Sequence, residues 1–159
     1  MHRIYMRKYF LLLGLLTIGI ASCKKEAPVN ASTQATTDDA LIRGYISANN
    51  ITATKDPSGV YYQIITPGTG AYPNASSVIS VNYTGKLLDG TVFAPSAHLS
   101  SSLSTLIKGW QIGIPFINTG GRILLIIPSA LGYGNSSPGG GIPANAVLVF
   151  TIDLLGVNN

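Results

Sequence analysis

Residues 120–157 constrain this chain more than any other stretch. Two strongly apolar, β-branched runs, at 123–128 and 146–155, flank a loop rich in Gly, Pro and Ser. Runs of this kind, bounded by turn residues, read as buried strands. The loop between them carries one aromatic, Tyr133, and no acid, base or metal ligand. Any chemistry there must come from shape, backbone donors and desolvated apolar surface. That points to a peptide- or proline-binding pocket rather than to a hydrolase.

The first 22 residues stand apart from the fold. Arg3, Arg7 and Lys8 form a positive segment, an apolar stretch runs from 9 to 20, and small residues follow. This is the pattern of a secretory signal. The only cysteine, Cys23, lies just beyond it. Ile20-Ala21-Ser22-Cys23 resembles the lipobox of bacterial lipoproteins. That resemblance implies lipidation of Cys23 and a membrane anchor in the bacterial cell envelope. Lys24-Lys25 offers no inner-membrane retention signal, so the expected place is the outer membrane, on its periplasmic or its surface face.

Charge then reads differently. Three of the ten Lys and Arg lie in the signal, which leaves seven basic against six acidic residues. The basic balance belongs largely to targeting, and no basic cluster marks a nucleic-acid partner. With one cysteine no intramolecular disulfide can form, and one histidine beyond the signal argues against a zinc site. No metal and no cofactor is expected. There is no phosphate-binding loop of the G-x-x-x-x-G-K-[ST] type.

Along the chain, 23–37 is small, polar and aperiodic, and reads as a flexible tether. Leu41, Ile42, Tyr45 and Ile46 recur at helical spacing, so 38–52 reads as an N-terminal helical extension, weakened by Gly44 and formed by docking. Residues 53–159 form the main domain. Strands are expected at 60–65 and 77–88, with Asp89-Gly90 as a hairpin signal and a return strand starting at 91–93. Residues 94–104 read as a loop, and 106–117 as one short helix that Pro115 ends or distorts. Several short strands and few helices suggest α+β, an antiparallel sheet packed on one helix.

Val81-Asn82-Tyr83-Thr84-Gly85, Asp89-Gly90-Thr91-Val92-Phe93, Leu106-Ile107-Lys108-Gly109-Trp110, Gly120-Gly121-Arg122, Ile127-Pro128-Ser129-Ala130-Leu131-Gly132-Tyr133-Gly134, Ile142-Pro143-Ala144-Asn145-Ala146 and Leu148-Val149-Phe150 occur in this order. In that order they resemble the FKBP-type peptidyl-prolyl cis-trans isomerases, over about 60–157. The resemblance implies a twisted antiparallel sheet wrapped around one short helix. It implies isomerase activity on proline-containing peptides or unfolded exported proteins, by a monomer. It assigns the catalytic pocket to Tyr83, Phe93, Trp110, Tyr133 and Phe150, with Leu106, Ile107 and Ile142 binding substrate. Trp110 would be the floor, the Ile107 N–H would donate to a substrate carbonyl, and the Tyr133 hydroxyl would donate to another.

Some positions depart from the family. Ala94 stands where an acidic residue is usual, the segment from Phe93 to Leu106 is shorter and lacks an aromatic, and Gly141 replaces a larger apolar residue. These departures predict a more open wall, a looser flap and reduced activity. They leave a second reading, a non-catalytic module that binds proline-containing segments or acts as a chaperone with the same fold.

Overall fold

The computed structural model describes residues 30–159. The signal and residues 23–29 of the expected tether, Cys23 among them, lie outside the described residues. Helix α1 spans Ala31–Ala48, and strands β1 (Thr54–Lys55), β2 (Tyr61–Thr66), β3 (Val78–Leu87) and β4 (Val92–Ser102) follow. Helix α2 (Lys108–Gly113), β5 (Arg122–Ile127) and β6 (Leu148–Asn158) complete the chain. The strands form a six-stranded sheet in the order β1-β2-β5-β6-β3-β4, and every neighbouring pair is antiparallel. This is the α+β architecture expected from the strand spacing.

Alternation decides which side chains go where. On β5, Ile123, Leu125 and Ile127 face one core with Ile79, Val81, Trp110, Ile114, Phe150 and Ile152. Ile126 on the same strand faces a second core with Ile42, Tyr61, Val147 and Val149. The central strands are thus buried on both faces. That is why 123–127 is an unbroken apolar run rather than an alternating one, a pattern more usual in parallel sheets.

Helix α2 lies against the inner face at very short range. A Cβ on Gly109 would sit 2.4 Å from Ile127 Cγ2, and one on Gly113 would sit 2.5 Å from Leu125 Cδ2. These two glycines, one helical turn apart, let the helix backbone touch the strand. That contact draws Trp110 into the core, where it is 4 % exposed.

Four expectations need correction. Residues 31–37 are helix, not tether: the Asn30 side chain accepts from the Thr33 N–H at 2.8 Å, and this cap starts α1 seven residues before 38. Residues 94–102 are strand, not loop. Leu99 pairs with Val81 and His98 with Asn82, so the backbone of β3 recruits small residues of weak strand preference. The segment 106–117 is not one helix: α2 ends at Gly113, and a 3-10 turn, Ile114–Phe116, takes over around Pro115, which has no N–H for an α-helical bond. The Asp89-Gly90 hairpin closes with three residues rather than two. The Leu87 N–H donates to the Thr91 carbonyl at 2.9 Å, and Gly90 takes φ 91°.

Candidate functional site

Tyr83, Phe93, Leu106, Ile107, Trp110, Tyr133, Ile142 and Phe150 line one cavity of about 230 Å³, together with Ala94 and Leu99. All eight residues singled out in the sequence are brought together. They arrive from β3, β4, α2 and its approach, the loop after β5, and β6, so the site exists only in the assembled sheet.

The centre of the site is Phe150. Its ring meets Trp110 edge-on at 5.2 Å and 86°, and Phe93 at 5.5 Å and 79°. Tyr83 meets Trp110 edge-on at 5.0 Å and 85°. Edge-to-face pairing of this kind sets positive ring edges against negative ring faces, and it holds the four rings as a rigid cup. Gly85 makes room for it. A Cβ there would lie 2.3 Å from Phe93 Cε2 and 3.0 Å from Phe150 Cε1.

The β4 wall bends at an irregularity. Tyr83 pairs with Ala97 but Gly85 pairs with Ala94, so β4 carries one extra residue, with Pro95 and Ser96 set against the single Thr84. Ser96 accommodates the bend at φ 86°. Pro95 is tolerated because β4 is an edge strand. Phe93, Ala94 and Leu99 therefore reach the cavity from both sides of the bend. Ala94 gives the rim a methyl group and no carboxylate. Leu99 was not singled out in the sequence, although it is the one large apolar side chain in a stretch of Ala, Ser and Pro.

Polar groups are few. Ile107 precedes α2, so its N–H has no acceptor within the helix. The segment before it is pinned by Gln111, whose Nε2 donates to the Leu106 carbonyl at 2.6 Å and the Ser104 carbonyl at 3.1 Å. No sequence signal marked Gln111. Tyr133 is 40 % exposed. Burial of its ring, with Tyr83 nearby, raises its phenol above the ordinary value of 10.0, so the hydroxyl stays a donor at neutral pH. Gly139, Gly140 and Gly141 all take positive φ. The flap they form carries its own hydrogen bonds: the Ile142 N–H donates to the Gly139 carbonyl, and Ser137 Oγ donates to the Ile142 carbonyl at 2.6 Å. Among the described residues no group of three or more His, Cys, Asp or Glu is placed to hold a metal ion.

Residues 70–155 match the family model of the FKBP-type peptidyl-prolyl cis-trans isomerases. The FKBP-type peptidyl-prolyl cis-trans isomerase FkpA of Aeromonas hydrophila is 36 % identical over 146 residues, covering 83 % of this chain and 53 % of its own length. The outer membrane protein MIP of Legionella longbeachae is 39 % identical over 105 residues, covering 64 % of this chain and 45 % of its own. Among solved structures, a peptidyl-prolyl cis-trans isomerase of Pseudomonas syringae pv. tomato superposes with a TM-score of 0.70 at 27 % identity, covering 84 % of this chain and 99 % of that one. The chain thus spans about half the length of the curated relatives it matches.

Proposed function

Because this chain belongs to the family of FKBP-type peptidyl-prolyl cis-trans isomerases, we propose that its aromatic cup catalyses rotation about X–Pro peptide bonds in exported proteins. The observation that carries the reading is the cavity itself. Five aromatic rings and four large aliphatic side chains enclose a space whose side-chain polar groups are the phenols of Tyr83 and Tyr133 and the buried indole N–H of Trp110.

The X–Pro bond turns slowly because its C–N bond has partial double-bond character, with a barrier of about 18–20 kcal/mol. Twisting breaks the charge-separated resonance form, so the twisted amide is less polar than the planar one. A dry apolar cup therefore disfavours the planar ground state relative to the twisted state, which is differential binding of the transition state. In this reading Trp110 supports the proline ring from below, and Tyr83, Phe93 and Phe150 exclude water. Leu106 and Ile142 close the sides. The Ile107 N–H and the Tyr133 hydroxyl hold the flanking carbonyls while the bond turns. No covalent step is required. An acceleration of about ten-thousand-fold requires only about 5.5 kcal/mol.

Ala94 supports a second reading, in which the same cup holds proline-containing segments without useful turnover. One experiment separates the two: cis/trans exchange of a proline peptide, followed with the unsubstituted chain, Tyr133→Phe and Trp110→Ala. The isomerase reading expects catalysis that drops at least about tenfold in both variants, the size of a lost transition-state contact, with folding preserved. Peptide binding without catalysis in the unsubstituted chain would establish the binding module instead.

The cell-envelope location is part of the same proposal. It rests on the Ile20–Cys23 motif, with Cys23 as the lipidated residue, a single copy of the chain as the working unit, and the similarity to a protein named for the outer membrane. No helix among the described residues is long and apolar enough to cross a membrane. Mass spectrometry of the chain recovered from cells would detect acyl groups on Cys23, and their absence would overturn the anchor.

A further inference from the structure

We propose that Asp38, on the N-terminal helix and outside residues 70–155 that match the family model, is a positioning residue for Tyr133. The inference rests on the isomerase reading for its kinetic consequence, but not for its geometry. Asp38 is 1 % exposed and lines no part of the aromatic cavity. Its Oδ2 accepts from the Ser129 N–H at 2.8 Å and from Ser129 Oγ at 2.7 Å. Its Oδ1 accepts from Gln34 Nε2 at 2.7 Å. Both carboxylate oxygens are therefore committed, in a dry setting where such bonds are strong.

Ser129 passes this restraint on. It opens the 3-10 turn Ser129–Leu131. Its carbonyl accepts from the Gly132 N–H at 3.0 Å and from the Gly134 N–H at 2.8 Å, the two residues that bracket Tyr133. The Gly134 carbonyl in turn accepts from the Asn145 N–H at 2.7 Å, on the far side of the flap. The Gly132 backbone passes close to β6, since a Cβ there would lie 2.9 Å from Leu148 Cδ1. A carboxylate on α1 is thus two hydrogen-bonded steps from both peptide neighbours of Tyr133. The rest of the loop is glycine-rich and would otherwise sample many conformations. Helix α1 does more than cover the sheet: it holds the tyrosine hydroxyl over the cup.

The test uses the full chain with Asp38→Ala and Asp38→Asn, each alone and combined with Tyr133→Phe. Amide hydrogen exchange is read at Gly132 and Gly134, with Leu125 and Phe150 as the reference. Asp38→Ala should accelerate exchange at the two glycines by roughly tenfold or more, as loss of a buried charge-assisted bond implies, and leave the central strands unchanged. Asp38→Asn keeps an acceptor oxygen and should stay near the unsubstituted rates. In turnover, Asp38→Ala should lower kcat with KM little changed, and should add nothing in the Tyr133→Phe background, the non-additivity of residues that act as a unit. Unchanged exchange at the glycines, acceleration spread across the whole sheet, or kinetic effects that multiply with Tyr133→Phe would each overturn the proposal. If Asp38→Ala does not fold, Ser129→Ala removes one of the two bonds and must show the same localised acceleration. If the unsubstituted chain does not turn over proline peptides, the isomerase reading falls and the exchange data alone decide the positioning.

Discussion

At the scale of single residues, the cup depends as much on an absent side chain as on the rings that line it. Gly85 lies where Phe93 and Phe150 converge, and a methyl group there would overlap the Phe93 ring at 2.3 Å. The glycine needs no special backbone angle, so its role is space alone. Replacing Gly85 by Ala should cost about 1–3 kcal/mol by overpacking, read from the midpoint of urea unfolding. It should also displace Phe93 and lower turnover beyond what the stability loss explains. An unchanged midpoint would mean that the rings yield freely and the cup is soft. The large side chains of the site were legible in the sequence because the motifs carry them. Gly85 was legible only as part of a motif, since close approach between strands 65 residues apart leaves no local signature. Gln111 and Asp38 act through the backbone of other segments, and no pattern of residue types announces that.

Among the elements, α1 shows most clearly where local reasoning stops. The apolar spacing of Ile42, Tyr45 and Ile46 identified its docked half, because those residues meet Tyr61, Ile126 and Val149 across the sheet, whereas Leu41 of the same run stays exposed. The preceding turns, rich in Thr and Ser, look weakly helical by composition. They are helical because Asn30 caps them and Gln34 and Asp38 bond within the helix. Strand β4 was hidden for a related reason, since pairing with β3 imposes extended backbone on residues that do not prefer it. Gly44 offers a direct check on how far α1 is held by docking. A Cβ at Gly44 would meet nothing within 4 Å, so Gly44→Ala gains helix preference without a clash. It should stabilise the chain by about 0.5–1 kcal/mol, seen as a rise in thermal midpoint. A fall in the midpoint would show that the solvent face of α1 is already in contact with another part of the chain.

For the whole molecule, two cores share one sheet, and an ionic cluster fastens the outer one. Asp39 accepts from Lys55 Nζ at 2.6 Å and from the Tyr61 hydroxyl at 2.6 Å, and also pairs with Arg43, so α1 is tied to β1 and β2. The hydrogen bonds from Lys55 and then Tyr61 lower its pKa from 3.8 to about 2. A carboxylate whose pKa is depressed by folding contributes stability above its unfolded value and loses it as protons return. The contribution is therefore complete above about pH 4 and disappears as the pH falls toward about 2. In an acid titration of helical circular dichroism, Asp39→Asn should flatten the loss between those limits, and an unaltered titration would remove the cluster from the account. The strand order carries a different consequence. The ribbon β1-β2-β5 and the hairpin β3-β4 touch in the sheet only through β6, which inserts between them. As the chain emerges from a ribosome, no strand before residue 148 can pair the two. The edges of β5 and β3 must wait unpaired until Leu148–Asn158 arrives, and such long-range closure is slow. A protein whose proposed work is to help others finish folding thus leaves the joining of its own sheet to its last strand.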